Sequence, residues 1–125
     1  MLKNFCKINP RVEFIPEYDM KTDGPWNGIK ALWYEGACYH GMKTKVFAYI
    51  GYPKMTAGET VPAVVLVHGG GGHAFAEWIR LWNARGFAAI PMETTGYIPN
   101  DQWKGLDGTE APGAEVKYTH GLYGN

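Results

Sequence analysis

The sequence predicts an α/β fold in which antiparallel strands come first and a strand–helix–strand unit with parallel strands follows. Two apolar runs, residues 63–67 and 87–91, carry this prediction. Neither alternates with polar residues, which is typical of strands buried on both faces of a parallel sheet. Between the two runs the spacing of apolar residues changes to that of a helix. The 125 residues are enough for one domain with a modest core.

The segments upstream of this unit favour strands joined by turns. Residues 1–28 are rich in Pro, Gly and Asn and show no period, so we expect an irregular N-terminal segment. Residues 29–36 and 44–53 are rich in aromatic and β-branched side chains, which predicts two strands. Residues 36–43 are expected to form the hairpin loop between them.

The strand–helix–strand unit occupies residues 63–91, and its first run is predicted to be a central strand buried on both faces. A helix over residues 74–85 is predicted by side chains at i, i+3, i+4 and i+7, which are Phe75, Trp78, Ile79 and Trp82. We expect the two tryptophans to anchor this helix in the core. Gly86 stands where a left-handed helix end is expected.

The remaining residues, 92–125, are predicted to be a loop-rich tail that contains six glycines. A structureless stretch of this length is uncommon in a complete compact domain. We therefore expect a single partial domain, with an irregular segment at 1–28, the strands and first helix at 29–91 and the tail at 92–125. Residues 95–105 of the tail are candidates to line a substrate cleft.

Composition excludes several classes of function. The formal net charge is zero and no Lys/Arg cluster is present, so we expect no nucleic-acid or anionic-membrane partner. The longest apolar run is too short to span a bilayer, and no secretory signal is visible, which favours a cytoplasmic location. Cys6 and Cys38 form neither a disulfide framework nor a CxxC metal pair. The histidines lack metal-ligand spacing, so no metal site is predicted.

Four consecutive glycines, residues 69–72, separate the first apolar run from the helix. One interpretation is phosphate binding, because Gly69, Gly71 and Ala74 fit the G-x-G-x-x-G/A pattern and Glu93 follows about 20 residues on. Backbone N–H groups at a helix N-terminus attract pyrophosphate. However, four glycines satisfy this pattern almost automatically, and a dinucleotide fold usually carries it on its first strand.

A second interpretation is an oxyanion hole for acyl transfer. The carbonyl oxygen of the substrate becomes negative as a nucleophile adds, and donors placed beforehand stabilise it by several kcal/mol. Backbone N–H groups can do this where the chain comes very close to the substrate, which glycine permits. A strand followed by HGGGG and a helix is the arrangement of lipase- and esterase-like α/β-hydrolases.

The stretch VPAVVLVHGGGGHAFAEWIRLWNARGFAAI resembles the oxyanion-loop region of α/β-hydrolase family proteins. The likeness is greatest to the acetyl-xylan-esterase, dienelactone-hydrolase and prolyl-oligopeptidase-like group. The upstream segments GIKALWYEG and KTKVFAYIGYP resemble the antiparallel strands that start that fold.

The resemblance implies that His68 ends its strand and helps to fix the loop, and that the backbone N–H of Gly70 or Gly71 contributes to the oxyanion hole. The oxyanion-hole loop would then consist of His68, Gly69, Gly70, Gly71 and Gly72. It also implies a small-molecule ester as the substrate of the full-length protein, and no cofactor.

The resemblance assigns less to the two polar side chains beside the loop, His73 and Glu93, which are possible cleft residues. Glu93 stands at a strand end where relatives often carry aspartate. At the position of His73, relatives tend to have a small or hydroxyl residue.

The nucleophile of such a hydrolase is missing, because the chain contains no serine. Family members place a G-x-S-x-G elbow after this region, followed by an acid and a histidine. Cys38 does not replace it, because its surroundings read G-x-C-x-x-G and precede the glycine loop. We therefore expect the N-terminal portion of an α/β-hydrolase, inactive as it stands.

Three interpretations remain open. The first is an N-terminal portion of a carboxylic-ester hydrolase, acetyl-esterase-like, or of a prolyl-oligopeptidase-like peptidase. The second is a dinucleotide-binding module. The third is a non-catalytic α/β protein that keeps the loop for structure or for a partner.

Overall fold

A computed structural model describes residues 9–20, 26–38, 40–69 and 72–94. Across these residues the chain is a small mixed α/β unit with one five-stranded sheet and one α-helix. The elements in chain order are β1 (Val12–Phe14), a 3₁₀-helix (Pro16–Tyr18), β2 (Lys30–Glu35), β3 (Lys45–Ile50), β4 (Ala63–Val67), α1 (Ala76–Asn83) and β5 (Ala88–Met92).

The order of strands in the sheet is β1-β2-β3-β5-β4. All neighbours are antiparallel except β4 and β5, which pair in parallel from Ala63 opposite Ala88 to Val67 opposite Met92. The predicted antiparallel strands, hairpin loop and parallel strand–helix–strand unit are therefore confirmed. The tail after residue 94 lies outside the described residues.

The N-terminal segment differs from the expectation of irregular structure. Residues 12–14 form β1, which adds to the sheet antiparallel to β2. The 3₁₀-helix that follows begins at Pro16, whose fixed φ suits a helix start. Three residues are too few for a periodic signal, so pairing with β2 rather than local sequence decides this strand.

The prediction that residues 63–67 form a central strand buried on both faces is wrong. β4 is the edge strand of the described sheet, and exposure alternates along it. Val65 is 60% and Val67 61% exposed, whereas Val64 and Leu66 pack against the core. An unbroken apolar run cannot distinguish burial on two faces from burial on one. The interior position belongs to β5, between β3 and β4.

One face of the sheet, called the inner face here, is covered by α1 and by the N-terminal segment. Ala76 and Ile79 of α1 are fully buried in the same cluster as Phe47 and Tyr49 of β3. Gly51 permits this approach, because a Cβ there would overlap the Ile79 side chain. Burying a side chain such as Ile79 contributes about 1.5–3 kcal/mol. Packing of the helix therefore contributes to stability on the inner face.

The helix is shorter than the predicted 74–85, at Ala76–Asn83. Its N-cap residue, Phe75, is extended, and the backbone N–H of Ala74 donates to Glu93 instead of entering the helix. Trp82 packs against the core, as predicted. Trp78 instead stacks on Phe75, with ring centroids 4.7 Å apart.

A Schellman motif ends the helix at Gly86, which has φ +85° and so confirms the predicted left-handed residue. The N–H of Phe87 donates to the carbonyl of Trp82 at 3.1 Å, and the N–H of Gly86 donates to that of Asn83 at 3.0 Å. The Trp82 and Phe87 rings meet edge to face at 5.2 Å. The motif turns the chain directly into β5.

The opposite face of the sheet, called the outer face from here on, is mostly apolar. Its small cluster consists of strand residues alone within the described part of the chain. By register the residues on the outer face are Val12, Phe14, Lys30, Leu32, Tyr34, Val46, Ala48, Ile50, Ala63, Val65, Val67, Ala88, Ile90 and Met92, and Lys30 is the charged member of this set. Separately, no helix in the described residues is long and apolar enough to cross a membrane.

Replacing Gly86 with alanine should destabilise the protein by about 1–2 kcal/mol, because an L-residue at positive φ is strained. Urea unfolding measures this change. The matched control is Gly69→Ala. Gly69 has no positive φ and nothing within 4 Å of a built Cβ, so its substitution should leave stability unchanged or slightly raised. Equal losses at both glycines would contradict the argument.

Candidate functional site

The candidate site lies at the carboxyl ends of the two parallel strands. Val67 of β4 pairs with Met92 of β5, so the next residue of each strand, His68 and Glu93, emerges at the same edge of the sheet. The glycine loop follows His68 directly. Parallel pairing therefore brings together one candidate from each end of the strand–helix–strand unit.

The side chains of His68 and Glu93 are in contact inside the protein. His68 Nε2 lies 3.4 Å from Glu93 Oε2, and the two side chains are 0% and 1% exposed. Buried polar groups are costly unless their remaining donors and acceptors are satisfied. The two residues meet this requirement through hydrogen bonds to three different parts of the backbone.

Backbone groups determine where the proton lies on the neutral His68 ring. Nδ1 is 2.7 Å from the carbonyl oxygen of Gly69, which can only accept, so Nδ1 carries hydrogen. Nε2 accepts from the Thr94 backbone N–H at 3.2 Å, and the Thr94 hydroxyl lies 3.1 Å away. The contacts thus select the Nδ1–H tautomer. Protonation at Nε2 would turn the Glu93 contact into an ion pair.

Glu93 connects the end of β5 to the approach to the helix. Its Oε1 accepts from the backbone N–H of Ala74, and its own N–H donates to the carbonyl of Phe47 at 2.8 Å. Burial and then the nearby Glu93 carboxylate raise the pKa of the Tyr49 phenol, which therefore stays neutral at ordinary pH. The sequence suggested Glu93 as a possible cleft residue. The structure instead encloses its side chain in protein.

The glycine loop forms a turn that packs on His68. The N–H of Gly72 donates to the carbonyl of Gly69 at 3.1 Å, so that carbonyl also serves the His68 ring. A Cβ at Gly72 would lie 3.0 Å from His68 Nδ1, so only glycine fits without a shift of the ring. Gly70 and Gly71, the two residues between them in sequence, lie outside the described residues.

His73 is half-buried at the end of the loop, with its ring 4.2 Å from that of Phe75. Burial, followed by the neighbouring His68, lowers the pKa of His73 to about 4. The His73 imidazole is therefore neutral at pH 7 and brings no positive charge to the loop.

The arrangement holds the loop at both ends. His68 binds the carbonyl at its start, Glu93 binds the N–H of Ala74 just beyond it, and the two side chains contact each other. No group of three or more His, Cys, Asp or Glu side chains with metal-binding geometry occurs in the described ranges. Cys38 is exposed in the β2–β3 loop. The site can present backbone donors, but the described side chains do not complete a nucleophile–base pair at it.

Sequence reasoning found the members of this site but not their connection. His68, Gly69, Gly72 and Glu93 all meet at one strand edge, whereas Thr94 was missed. A usable signal existed for the central contact, because two polar residues each follow one of two consecutive parallel strands. Thr94 contributes mainly through its backbone N–H, which donates to His68. Every residue except proline has such a group, so the residue type gives no signal.

Comparison with known proteins gives no relative. No family model matches the chain, and neither the curated proteins nor the solved structures contain a match.

Replacing Glu93 with alanine should destabilise the protein by about 2–3 kcal/mol, because it leaves the buried Ala74 N–H without its acceptor and opens a cavity beside His68. Glu93→Gln should cost less than about 1 kcal/mol. Its amide oxygen can accept from Ala74 and its amide N–H can donate to Nε2 of the neutral ring. Urea unfolding at pH 7 measures both variants.

The matched control for this pair is Glu59→Ala. Glu59 is exposed and accepts from the backbone N–H of Thr56, so its loss should cost about 0.5 kcal/mol or less. If Glu93→Gln proved as damaging as Glu93→Ala, a charged imidazolium–carboxylate pair would replace the neutral tautomer inferred above.

His73 should make stability fall with decreasing pH between about 6.5 and about 4. In this range the unfolded chain binds a proton at residue 73 and the folded chain does not, because its pKa is lowered to about 4. Protonation of His73 thus stabilises the unfolded state as pH falls. Its effect on the unfolding free energy stops changing below about pH 4. The measurement is the difference in unfolding free energy between pH 7 and pH 5.

His73→Gln should show a smaller pH dependence than the wild type over this range. Equal slopes for His73→Gln and the wild type would contradict the assignment to His73.

Proposed function

We propose that residues 63–94 form the oxyanion-loop half of a carboxylic-ester hydrolase of the α/β-hydrolase type, with acetyl esters as the substrate class. One observation carries the proposal: the buried contact between His68 and Glu93 anchors a glycine turn at both ends. The turn lies between the carboxyl end of a parallel strand and the start of a helix.

The chemistry requires donors that do not move when charge develops. A flexible loop would have to reorganise at the transition state, whereas donors fixed in advance act without that cost. Each of the two anchors is buried and hydrogen-bonded to the backbone, which restricts the ends of the turn. In the proposal, the backbone N–H of Gly70 or Gly71 contributes a hydrogen bond to the substrate oxygen. Glycine at both positions leaves the substrate room to approach.

The composition limits which catalytic groups this chain can supply. With no serine in the chain, a serine nucleophile is not among these residues, and in the proposal the glycine turn supplies stabilisation of the tetrahedral oxyanion. The neutral His73 beside the turn neither attracts nor repels that charge strongly. An amide carbonyl develops the same oxyanion, so a peptidase of the prolyl-oligopeptidase-like type is the alternative within the proposal.

The burial of Glu93 counts against the dinucleotide interpretation. An acid that binds a ribose must present its carboxylate to the ligand, but the Glu93 side chain is 1% exposed and its oxygens face His68 and Ala74. In the oxyanion-turn proposal Glu93 is a structural acid, and its side chain can stay where it is.

A tetrahedral monoanion should bind the turn, and NAD should not. Methyl methylphosphonate has the shape and charge of the intermediate of methyl acetate cleavage. Titrated to about 100-fold over its dissociation constant, it should stabilise the protein by about 2.7 kcal/mol and shift the amide resonances of Gly70 and Gly71. The neutral dimethyl ester, of nearly the same shape, should do neither.

Gly71→Val should abolish the response to the anion, whereas Ala57→Val, at an exposed turn residue outside the glycine loop, should keep it. The chain alone should not hydrolyse p-nitrophenyl acetate above a denatured control. Saturable stabilisation by NAD would support the dinucleotide interpretation instead, and turnover lost on Cys38→Ala would show that the cysteine is a nucleophile.

A further inference from the structure

The turn that leads into β2 has an asparagine followed by a glycine at its centre. The N–H of Ile29 donates to the carbonyl of Trp26 at 3.2 Å, so Asn27 and Gly28 are the two central residues. Gly28 has φ +83° and the φ of Asn27 is negative, which defines a type II turn. Both central residues are exposed. The Asn27 side chain therefore stands in water beside a backbone nitrogen that no neighbouring Cβ shields.

Asparagine is a chemically labile residue, and before glycine it can lose its side-chain nitrogen by a reaction within the chain. The backbone nitrogen of Gly28 attacks Cγ of Asn27, and the new C–N bond closes a five-membered succinimide ring. The bond from Cγ to the side-chain nitrogen breaks, and that nitrogen leaves as ammonia with the proton that Gly28 gives up. One water molecule then opens the ring at either carbonyl, which produces aspartate or isoaspartate at residue 27. The reaction needs no oxidant and no cofactor.

The turn does not have the backbone conformation that ring closure requires. The succinimide ring is nearly planar, so Cβ of Asn27 and the nitrogen of Gly28 must be nearly eclipsed about the bond from Cα to the carbonyl carbon. In a type II turn, with ψ of about +120° at the first central residue, these two atoms are about 120° apart. The peptide group between Asn27 and Gly28 must therefore rotate before the ring can close, and its carbonyl oxygen must move with it.

A side chain of α1 holds this peptide group in place. Nη2 of Arg80 donates to the carbonyl oxygen of Asn27. Nη1 of the same guanidinium donates to Oδ1 of Asn83 at 3.0 Å. Asn83 is fixed in turn, because its amide donates to the carbonyls of Gly51 and Phe87 at 3.2 and 2.9 Å. Rotation of the peptide group would break the contact from Arg80, so this contact opposes ring closure.

We propose that Asn27 is a site of spontaneous deamidation, and that Arg80 limits its rate by holding the peptide group between Asn27 and Gly28. Asn27 is the reacting residue, and Arg80 is a positioning residue that acts on the backbone. The proposal concerns a turn outside the glycine loop and does not depend on the proposed hydrolase function.

The two products should differ in their effect on the fold. Trp26 and Ile29, which flank the central residues, are 5% and 1% exposed and belong to the same core cluster. Isoaspartate at residue 27 adds a methylene group to the main chain between them, so it should lower stability. Aspartate keeps the main chain unchanged, so Asn27→Asp should unfold at nearly the wild-type urea concentration. Either product changes the formal net charge from zero to minus one, which allows separation by charge.

Peptide mapping by mass spectrometry of the full chain, incubated at mildly alkaline pH, tests the proposal. The tryptic peptide 22–30 contains a single asparagine, so a mass gain equal to the replacement of an amino group by a hydroxyl group reports on Asn27. The folded wild type should show this gain slowly. Arg80→Ala should raise its rate by about threefold or more, because a hydrogen bond from a charged donor is lost. Arg80→Lys, whose ammonium can donate to the same carbonyl, should restore part of the protection.

Two control variants separate this effect from loss of charge and from loss of stability. Arg85→Ala removes an arginine of the same segment that donates to the Leu81 carbonyl, and its rate should stay within about twofold of the wild type. Val64→Ala loosens the core at β4, and it too should leave the rate at Asn27 nearly unchanged. Urea unfolding shows that each variant is folded and measures its stability. If Arg80→Ala does not fold, Arg80→Lys decides the test.

Three results would overturn the proposal. One is the absence of any mass gain in peptide 22–30 from the folded wild type while the urea-unfolded chain reacts. Another is an equal rate in the wild type and in a folded Arg80 variant. The third is an increase with Val64→Ala as large as with Arg80→Ala, which would mean that the reaction proceeds through unfolding of the whole chain.

Discussion

The contact between His68 and Glu93 links three elements that would otherwise meet only through the chain. It joins the end of β4 to the end of β5, and through Ala74 it places the start of α1 against both. The glycine turn is closed between these anchors. Because both side chains are fully enclosed, movement of either would leave buried polar groups unsatisfied, at a cost of several kcal/mol. Turn geometry therefore depends on a pair that lies outside the turn.

The two faces of the sheet differ because a single helix can cover only one of them. Ile79 and its neighbours on α1 fill the inner face, with the N-terminal segment completing the cover. The outer face has equally apolar residues and no covering element in the described part of the chain. Mixed sheets of this kind are stable when both faces are packed.

The same asymmetry explains why the position of β4 could not be read from its residues. Val64 and Leu66 face the core, and Val65 and Val67 face outward, yet all four are apolar. The apolar sequence of β4 therefore does not show which of its side chains are buried in this structure. β4 also lies at the edge of the described sheet, with a pairing strand on one side.

The sequence by itself determined the local elements, because their signals lie within a few residues of each other. The helical spacing around Ile79, the left-handed Gly86 and the parallel strand–helix–strand unit all follow from such short-range patterns. The tertiary structure alone decided the strand order, the pairing of β1 and the burial of Glu93 against His68. The pairing of β1 joins residues 18 to 22 positions apart and the His68–Glu93 contact joins residues 25 apart, which no local pattern records.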